Sequence, residues 1–326
     1  MQKLPSYVLV TPARNEERLI EATIKSVVVQ SVLPMRWIIV SDGSTDGTDS
    51  IVSRYAARYH WIELLRMPER KERHFAGKAY AFAAAQARLE HLPYEVIANL
   101  DADITIESGH FAYLLEKLAS DPTLGIVGTP CVESSGELPD FRFSRIEHVP
   151  GACQVFRRAC YEKIGGYCPV KYGSIDCIAG LSARMNGWKT RAFAGMVAMH
   201  HRQMGTAQCG PIHAYFNTGA MDYVLGFHPL WEIFRSAYQM TRKPFFIRGL
   251  VIGSGYFWAL LRHVEQPAPK KLVQFLRQEQ MQQLKSKLTA STFSGNWLKA
   301  RLRAVCIHMY TRRPGPFGTL SKNLHP

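Results

Sequence analysis

The sequence predicts an α/β protein in which a mostly parallel sheet is flanked by helices and followed by a mainly helical C-terminal region. Through the first hundred residues, short apolar runs of strand length alternate with segments whose apolar residues recur at helical spacing. This alternation is typical of a parallel sheet with helices on both faces. It stops after residue 205, where aromatic and basic residues become dense.

The alternating part contains four predicted strands and three predicted helices. The strands are apolar runs, and they cover Tyr7–Thr11, Trp37–Val40, Ile62–Leu65 and Val96–Leu100. The helices carry apolar residues three or four positions apart, and they cover Glu17–Gln30, the segment around Ile51–Ala56, and Lys78–Leu89. Because parallel sheets bind ligands at the carboxyl ends of their strands, the residues after each strand are the first candidates for a site.

The net charge of +14 is concentrated in the last third of the chain. From Thr206 onward, sixteen Lys and Arg residues stand against four acidic residues. We therefore expect two domains, an α/β domain over residues 1–205 and a helical, basic, aromatic-rich region over residues 206–326. Such a basic surface is suited to an anionic membrane or to nucleic acid, or it is simply solvated.

Cysteine usage and the N-terminus indicate the compartment. The seven cysteines form no Cys-x-x-Cys pair, and their odd number argues against both a zinc cluster and a disulfide framework. We expect buried thiols in a reducing compartment. Residues 1–10 lack the charged start and long apolar core of a signal peptide, which favours a cytoplasmic location.

Three of the predicted strands end in polar and acidic motifs, namely Thr11–Glu17, Ser41–Thr48 and Asp101–Asp103. A bare phosphate would be repelled there, but a hard divalent cation can lie between carboxylates and diphosphate oxygens. Of Asp101 and Asp103, one could hold the metal while the other meets a ribose hydroxyl. Each motif alone is common in turns and helix caps, so the specificity lies in their order and spacing.

In order and spacing these motifs resemble glycosyltransferase family two, a large family of inverting enzymes with the GT-A fold. The resemblance extends over Ser6–Arg202, and its further parts are Gly77-Lys78-Ala79, Gly151-Ala152, Arg157-Arg158 and Ile164-Gly165-Gly166-Tyr167. It implies a nucleotide-sugar donor, with UDP expected, and Mg²⁺ or Mn²⁺ as cofactor. It also implies a saccharide or lipid-linked acceptor in polysaccharide or glycolipid synthesis.

The resemblance assigns roles to individual residues. Those expected to line the nucleotide pocket are Pro12, Ala13, Arg14 and Glu16. Asp42 would accept a hydrogen bond from the N–H of the base ring, and Lys78 would lie near the nucleotide or its diphosphate. Asp103 would ligate the metal, with Asp101 and Ala102 beside it in the donor site.

The resemblance also points to a catalytic base. An inverting transfer needs a carboxylate that removes the proton of the acceptor hydroxyl. The family places this base in a Glu-Asp pair that opens a helix; here Ile175 replaces the usual Glu and Asp176 follows. Asp176 is the only acidic residue between Glu162 and Asp222, which makes it the candidate; the alternative is that it only caps a helix.

A histidine that follows a late strand completes the metal site in many relatives. Here His200 and His201 follow the predicted strand Met196–Met199. We expect one of them, preferably His200, to ligate the metal through a neutral imidazole; the alternative is an ordinary surface pair.

The C-terminal region contains two segments of interest for a membrane. Gly249–Leu261 is an uninterrupted stretch of 13 residues between two arginines, too short to span a bilayer alone. Apolar residues recur at helical spacing over Leu272–Leu288 among Lys and Arg, which is typical of a membrane-surface helix. We expect peripheral association with the inner face of the cell membrane; the alternative is a helix packed on the first domain.

Two other functions fit part of the pattern. A sugar nucleotidyltransferase would share the sheet and the metal carboxylates, but it would need a glycine-rich loop after the first strand, and Thr11–Glu17 contains no glycine. A basic protein that binds nucleic acid or a membrane without catalysis is compatible with the charge. No nucleic-acid recognition motif is visible, and the acidic strand ends oppose such a partner, so no nucleic acid is expected.

Overall fold

The computed structural model describes residues 3–69, 76–133, 146–170, 173–202 and 210–293. Every residue assigned to the site from the sequence lies within these ranges. The predicted domain boundary at 205/206, the thiols of Cys209 and Cys306, and the basic segment after Phe293 lie outside the described residues.

A seven-stranded sheet forms the centre of the N-terminal part. Its strands are β1 (Tyr7–Ala13), β2 (Trp37–Asp42), β3 (Ile62–Met67), β4 (Val96–Leu100), β6 (Leu124–Gly128), β8 (Cys153–Arg157) and β9 (Lys189–Ala192). They are arranged in the order β3-β2-β1-β4-β8-β6-β9. The four strands predicted from the sequence pair in parallel, as expected, whereas β8 runs antiparallel between β4 and β6. The sheet is therefore mixed but mostly parallel.

Helices cover both faces of this sheet, as predicted. They are α1 (Ile20–Val28), α2 (Thr48–Arg58), α3 (Ala76–Leu89), α4 (His110–Ser120), α5 (Arg158–Ile164) and α6 (Ile175–Met185). Alternate residues of β1 enter two separate cores: Val8 and Val10 pack with Phe82 of α3, while Tyr7 and Leu9 pack with Ile20 of α1. A strand buried on both faces needs apolar residues at every position, which explains the continuous apolar run.

A small second sheet builds the rim next to β4. It consists of β5 (Ile104–Thr105), β10 (Ala198–His200) and β7 (Cys131–Glu133), in the order β5-β10-β7. The fourth strand does not continue through Asp101–Asp103, because β4 ends at Leu100 and a turn follows in which Ile104 N donates to the Asp101 carbonyl at 3.2 Å. Since β10 pairs with β5 directly after this turn, the end of β10 lies beside Asp103.

The C-terminal region is helical, as predicted, with α7 (Pro211–Val224), α8 (Pro229–Gln239), α9 (Ile247–Leu261) and α10 (Lys270–Phe293). Helices α7 and α9 cross at very short distance. A Cβ atom at Gly219 would clash with the carbonyl oxygen of Ile252, and one at Gly255 with the carbonyl oxygen of Phe216. Only glycine permits this approach of two backbones.

The chain divides into two compact units, Met1–Arg277 and Gln278–Pro326. The predicted boundary at 205/206 stays a prediction; along the chain it lies between β10 and α7. The described residues of the second unit, 278–293, form the last part of α10.

The apolar side of α10 is buried at the start of the helix. Leu272, Val273 and Leu276 are buried in the same core as Phe82 and Val8. The expectation that this stretch faces a membrane is wrong for these three residues, because its apolar side covers the α/β part instead. Within the described residues, no helix combines the length and apolar character needed to cross a bilayer.

Candidate active site

The loops after β1 and β2 are joined by hydrogen bonds into one wall of the site. Asn15 adopts a left-handed conformation with φ 56°, and its Oδ1 accepts a hydrogen bond from Thr45 N at 2.8 Å. Two loop residues further on, Glu17 Oε2 accepts from Gly47 N at 2.7 Å. Asn tolerates the left-handed region, and its side chain suits such a turn.

Residues assigned to the nucleotide pocket lie along this wall. Pro12 and Ala13 are the last residues of β1, and Arg14 follows them. Asp42 is the last residue of β2 and is buried. The register of β1 with β2 pairs Ala13 with Ser41, so Arg14 and Asp42 emerge at the same edge of the sheet. An open cavity of about 330 Å³ adjoins this wall, lined by Asn15, Glu16, Glu17, Arg18, Leu19, Asp46 and Arg202.

Asp103 is surrounded by positively charged and imidazole groups from the end of β10. His200 Nε2 lies 3.2 Å from Asp103 Oδ2, and Arg202 Nε lies 3.7 Å from the same oxygen. Arg202 Nη2 also donates to Glu16 Oε2 at 2.6 Å, which ties the loop after β1 to β10. Burial raises the pKa of Asp103, but the hydrogen bond with His200 and the electrostatic interactions with His200 and Arg202 outweigh this effect and lower the pKa.

Asp101 has different partners. Lys78 Nζ donates to Asp101 Oδ1 at 2.6 Å, and Asn99 Nδ2 donates to the same oxygen at 3.1 Å. Both donors also reach the carbonyl oxygen of Gly151, each at 2.7 Å. Burial raises the pKa of Asp101 more than the charge and hydrogen bond of Lys78 lower it.

The backbone of Gly151 connects Asp176 with the partners of Asp101. It is the second residue of α6, and its Oδ2 accepts a hydrogen bond from Gly151 N at 3.0 Å. Gly151 thus faces Lys78 and Asn99 with its carbonyl and Asp176 with its N–H. A Cβ atom at position 151 would lie 2.9 Å from Asp176 Cβ, so only glycine allows this contact.

Asp176 also belongs to a group with His148 and Cys177. Cys177 Sγ lies 3.9 Å from His148 Nδ1, and the ligating atoms of all three residues lie within 4.8 Å of one another. Burial and the negative charge of Asp176 raise the pKa of the Cys177 thiol. Such a group can hold a metal ion, so Asp176 has two candidate roles, as base and as ligand.

The side chains of His201 and Ala102 do not join the group around Asp103. The backbone N of His201 donates to the Asp103 carbonyl oxygen at 3.1 Å, but its ring contacts Thr105, with Nε2 2.8 Å from Thr105 Oγ1. Ala102 is buried in the core, and its carbonyl oxygen accepts from Thr23 Oγ1 at 2.8 Å. Ala102 is therefore a spacer between the two aspartates and offers no side chain to the site.

Three residues of the site were missed from the sequence, namely Asn99, Gly151 in its bridging role, and Arg202. A signal existed for Asn99, because an amide inside the apolar run Val96–Leu100 must find hydrogen-bond partners when buried. For Arg202 the only signal was its position after the two histidines.

Comparison with known proteins decides the family. The model of glycosyl transferase family 2 matches residues 8–179, more than half of the chain. The chain belongs to glycosyl transferase family 2. It is therefore a glycosyltransferase, as expected, and the family match favours neither a sugar nucleotidyltransferase nor a basic protein without catalysis.

The chain matches two curated relatives over only part of their length. The chain is 28% identical over 192 residues to the probable glycosyltransferase YdaM of Bacillus subtilis (strain 168), a match that covers 51% of this chain and 44% of the relative. It is 24% identical over 139 residues to the poly-beta-1,6-N-acetyl-D-glucosamine synthase of Staphylococcus aureus (strain COL), covering 42% of this chain and 32% of the relative. The chain thus spans less than half the length of these relatives.

Solved structures confirm the GT-A fold. The mannosyltransferase PcManGT from Pyrobaculum calidifontis, in complex with GDP-Man and Mn²⁺, superposes with a TM-score of 0.52 at 19% identity and covers 96% of this chain and 82% of its own. S. aureus TarS in complex with UDP-GlcNAc gives a TM-score of 0.50 at 14% identity and covers 77% and 71%. At these identities the likeness shows the fold alone.

Proposed function

We propose that this glycosyltransferase moves a sugar from a nucleotide donor, with UDP as the expected nucleotide, to a hydroxyl of a saccharide or lipid-linked acceptor with inversion. The observation that carries the proposal is the convergence of two side-chain groups at the carboxyl edge of the sheet. One group joins Asp103 with His200, and the other joins Asp101 with Asp176 through Gly151.

Asp103 and His200 are the proposed metal ligands. Two side chains can hold the same divalent ion when their ligating atoms lie about 3 Å apart. The 3.2 Å between Asp103 Oδ2 and His200 Nε2 fits that requirement. A carboxylate with an imidazole suits Mn²⁺, and Mg²⁺ remains the alternative ion. When bound, the ion would neutralise charge on the departing diphosphate.

Two positively charged side chains near the proposed metal ligands have different proposed roles. Arg202 is 34% exposed and is held between Glu16 and Asp103, so it can meet diphosphate oxygens. Lys78 is only 14% exposed and is bound to Asp101 and Gly151. We therefore propose that Arg202 contacts the donor and that Lys78 mainly positions Asp101 and Gly151. Asp42 remains the proposed partner of the base ring.

Asp176 is the proposed general base rather than a metal ligand. One backbone N–H holds its Oδ2, and a carboxylate so held keeps lone pairs that can accept a proton. As the acceptor oxygen attacks the anomeric carbon, its proton passes to Asp176, and the bond from that carbon to the diphosphate oxygen breaks on the opposite face.

A position at the inner face of the cell membrane is the last part of the proposal. It is supported by the excess of Lys and Arg after Thr206. Basic residues near an anionic surface each contribute roughly 1 kcal/mol to binding. A lipid-linked acceptor would then be held at the same surface.

A panel of UDP- and GDP-sugars tests the function. Each donor is scored for thermal stabilisation of the chain and for release of the nucleotide, with Mn²⁺, with Mg²⁺ and with excess chelator. We expect one donor class to stabilise the protein only when metal is present. If instead the chain makes pyrophosphate from a nucleoside triphosphate and a sugar phosphate, it is a nucleotidyltransferase and the proposal is wrong.

A further inference from the structure

Helix α8 presents its apolar side to the outside. Leu230, Ile233, Phe234 and Ala237 follow the i, i+3, i+4, i+7 spacing of a core-facing stripe, yet all four are exposed. Phe234 is 43% exposed, and Leu230 and Ile233 are each 49% exposed. In water this arrangement leaves a large apolar surface uncovered.

The charged residues of the same helix point inward. Glu232 is fully buried, and Arg235 is largely buried and forms ion pairs with both Glu232 and Asp222 of α7. Asp222 is also buried. Burying charges is costly unless they are paired, and these three side chains are paired in one cluster. Helix α8 therefore turns its charged side inward and its apolar stripe outward. This is the reverse of a helix on a soluble protein.

The next helix and its linker extend the exposed apolar surface. The exposed large side chains here are Phe245, Phe246, Ile247, Leu250, Phe257, Trp258 and Leu261. Helices α8 and α9 pack closely on each other, because Gly249 brings α9 against the carbonyl oxygen of Ser236 in α8. We call the exposed apolar side chains of α8, the linker and α9 the α8–α9 surface.

We propose that the α8–α9 surface inserts into the acyl region of one leaflet of an anionic bilayer. The inference deepens the membrane part of the proposed function and rests on it. Lipid is favoured as the occupant by charge: Arg242 and Lys243 precede the exposed linker, and Arg262 follows Leu261. At 1.5 Å per residue, the 15 residues of α9 extend about 22 Å, less than the hydrocarbon core of about 30 Å.

A second copy of this chain suits the surface less well. In a symmetric dimer the basic residues at the ends of one apolar surface would be brought close to those of the other, and like charges oppose association. In a leaflet, the anionic lipid head groups around the inserted surface would attract these basic residues instead.

Helix α7 connects the α8–α9 surface with the helix that carries the proposed base. Leu225, directly after α7, packs in the same core as Ile175 and Ile178 of α6, the helix that carries Asp176. The charge of Asp222 in α7 also contributes to the raised pKa of Cys177. Because α7 packs on α9 through Gly219 and Gly255, insertion would hold Asp176 close to the bilayer. A lipid-linked acceptor could then reach the base without leaving the membrane.

Sedimentation of the full chain with vesicles tests the proposal. The vesicles are phosphatidylcholine alone and phosphatidylcholine with phosphatidylglycerol, each at low and high salt. Binding should be stronger to the anionic vesicles, and part of it should survive high salt, because apolar burial is not screened. The double variant Phe246→Gln/Leu250→Gln should lower the partition coefficient about a hundredfold, roughly tenfold for each large side chain.

The matched control makes the same kind of change on another exposed surface. Val29 and Leu33 are also exposed but lie after α1, so Val29→Gln/Leu33→Gln should bind vesicles like the unmodified chain. The insertion proposal is overturned if both double variants bind equally, or if high salt releases the unmodified chain completely. It is also overturned if the chain ignores vesicles and forms a dimer that Phe246→Gln/Leu250→Gln dissociates.

Donor binding is measured separately in the same samples. Metal-dependent stabilisation by a nucleotide sugar should be equal in the unmodified chain and in both double variants, which also shows that each variant folds. If no nucleotide sugar binds any form, the catalytic proposal fails, while the vesicle measurement still decides whether the surface inserts.

Discussion

Gly151→Ala should displace the proposed base without removing any functional group. A Cβ atom at this position would lie 2.9 Å from Asp176 Cβ and 3.0 Å from both Cγ and Oδ2, where ordinary contacts begin at 3.4 Å. The carboxyl group must therefore move by about 0.5 Å or more, and its 3.0 Å hydrogen bond with Gly151 N will lengthen. Because a misplacement of about 1 Å can cost about a hundredfold in rate, we expect kcat to fall by about 10- to 100-fold.

The assay is steady-state release of the nucleotide from the active donor, together with calorimetric titration of the nucleotide. Nucleotide affinity should be unchanged, because Asp103 and His200 do not contact Gly151. Gly180→Ala is the matched control on the helix that carries Asp176: its Cβ would meet only Arg184 Nη1 at an ordinary 3.5 Å. If Gly151→Ala turns over like Gly180→Ala, Asp176 is not held where the reaction needs it, and the reasoning is wrong.

Three further predictions concern single side chains. Asp176→Asn should keep donor binding but lose about 10²–10⁴-fold in turnover, since it removes the proton acceptor and keeps the shape; near-normal turnover would assign the base elsewhere. Asp42→Ala should weaken UDP binding about 10- to 100-fold, the range expected when a buried hydrogen bond is lost, and equal titration curves for UDP would refute it. Burial raises the pKa of Glu232 from 4.5 to about 7 against the lowering effect of Arg235, so the folded protein holds this proton more tightly than the unfolded chain does. The free energy of unfolding should therefore fall as pH rises between those values. Glu232→Gln should make this fall smaller when the free energy is measured by urea titration at several pH values. If the variant shows the same dependence on pH, the prediction is contradicted.

The sequence was sufficient where the information is local. The four parallel strands, their helices and the acidic strand ends follow from apolar periodicity and turn chemistry. Asp101 and Asp103 were placed at one edge of the sheet because parallel strands end there. The turn at Asp101–Asp103 was not predicted, because it depends on the pairing of β5 with β10, which are nearly a hundred residues apart in the chain.

Long-range contacts account for most of what was missed. Arg202 reaches Glu16 across 186 residues, and no local pattern reports such a pair. The antiparallel β8 is likewise fixed by its neighbours in the sheet rather than by its own residues.

The C-terminal helices show a different limit. The apolar stripe of α8 has the spacing of a buried face, so sequence reasoning would place it inside. Glu232 and Arg235 occupy the interior instead, where they pair with each other and Arg235 also pairs with Asp222. The apolar side of α10 does obey the usual rule, and Leu272 and Leu276 are buried. Both outcomes depend on the elements against which each helix packs. The sequence of the helix itself does not identify those elements.

The measurement that tests the central claim most directly is calorimetric titration of UDP into the unmodified chain and into Asp103→Ala, each with Mn²⁺ and with excess chelator. In the proposed site Asp103 and His200 would hold an ion that neutralises charge on the diphosphate. UDP should therefore bind the unmodified chain only with Mn²⁺, and Asp103→Ala should fail to bind it in either condition while its melting temperature without ligand stays close to that of the unmodified chain. If UDP binds the unmodified chain equally well in excess chelator, the metal-assisted mechanism proposed for this glycosyltransferase is contradicted.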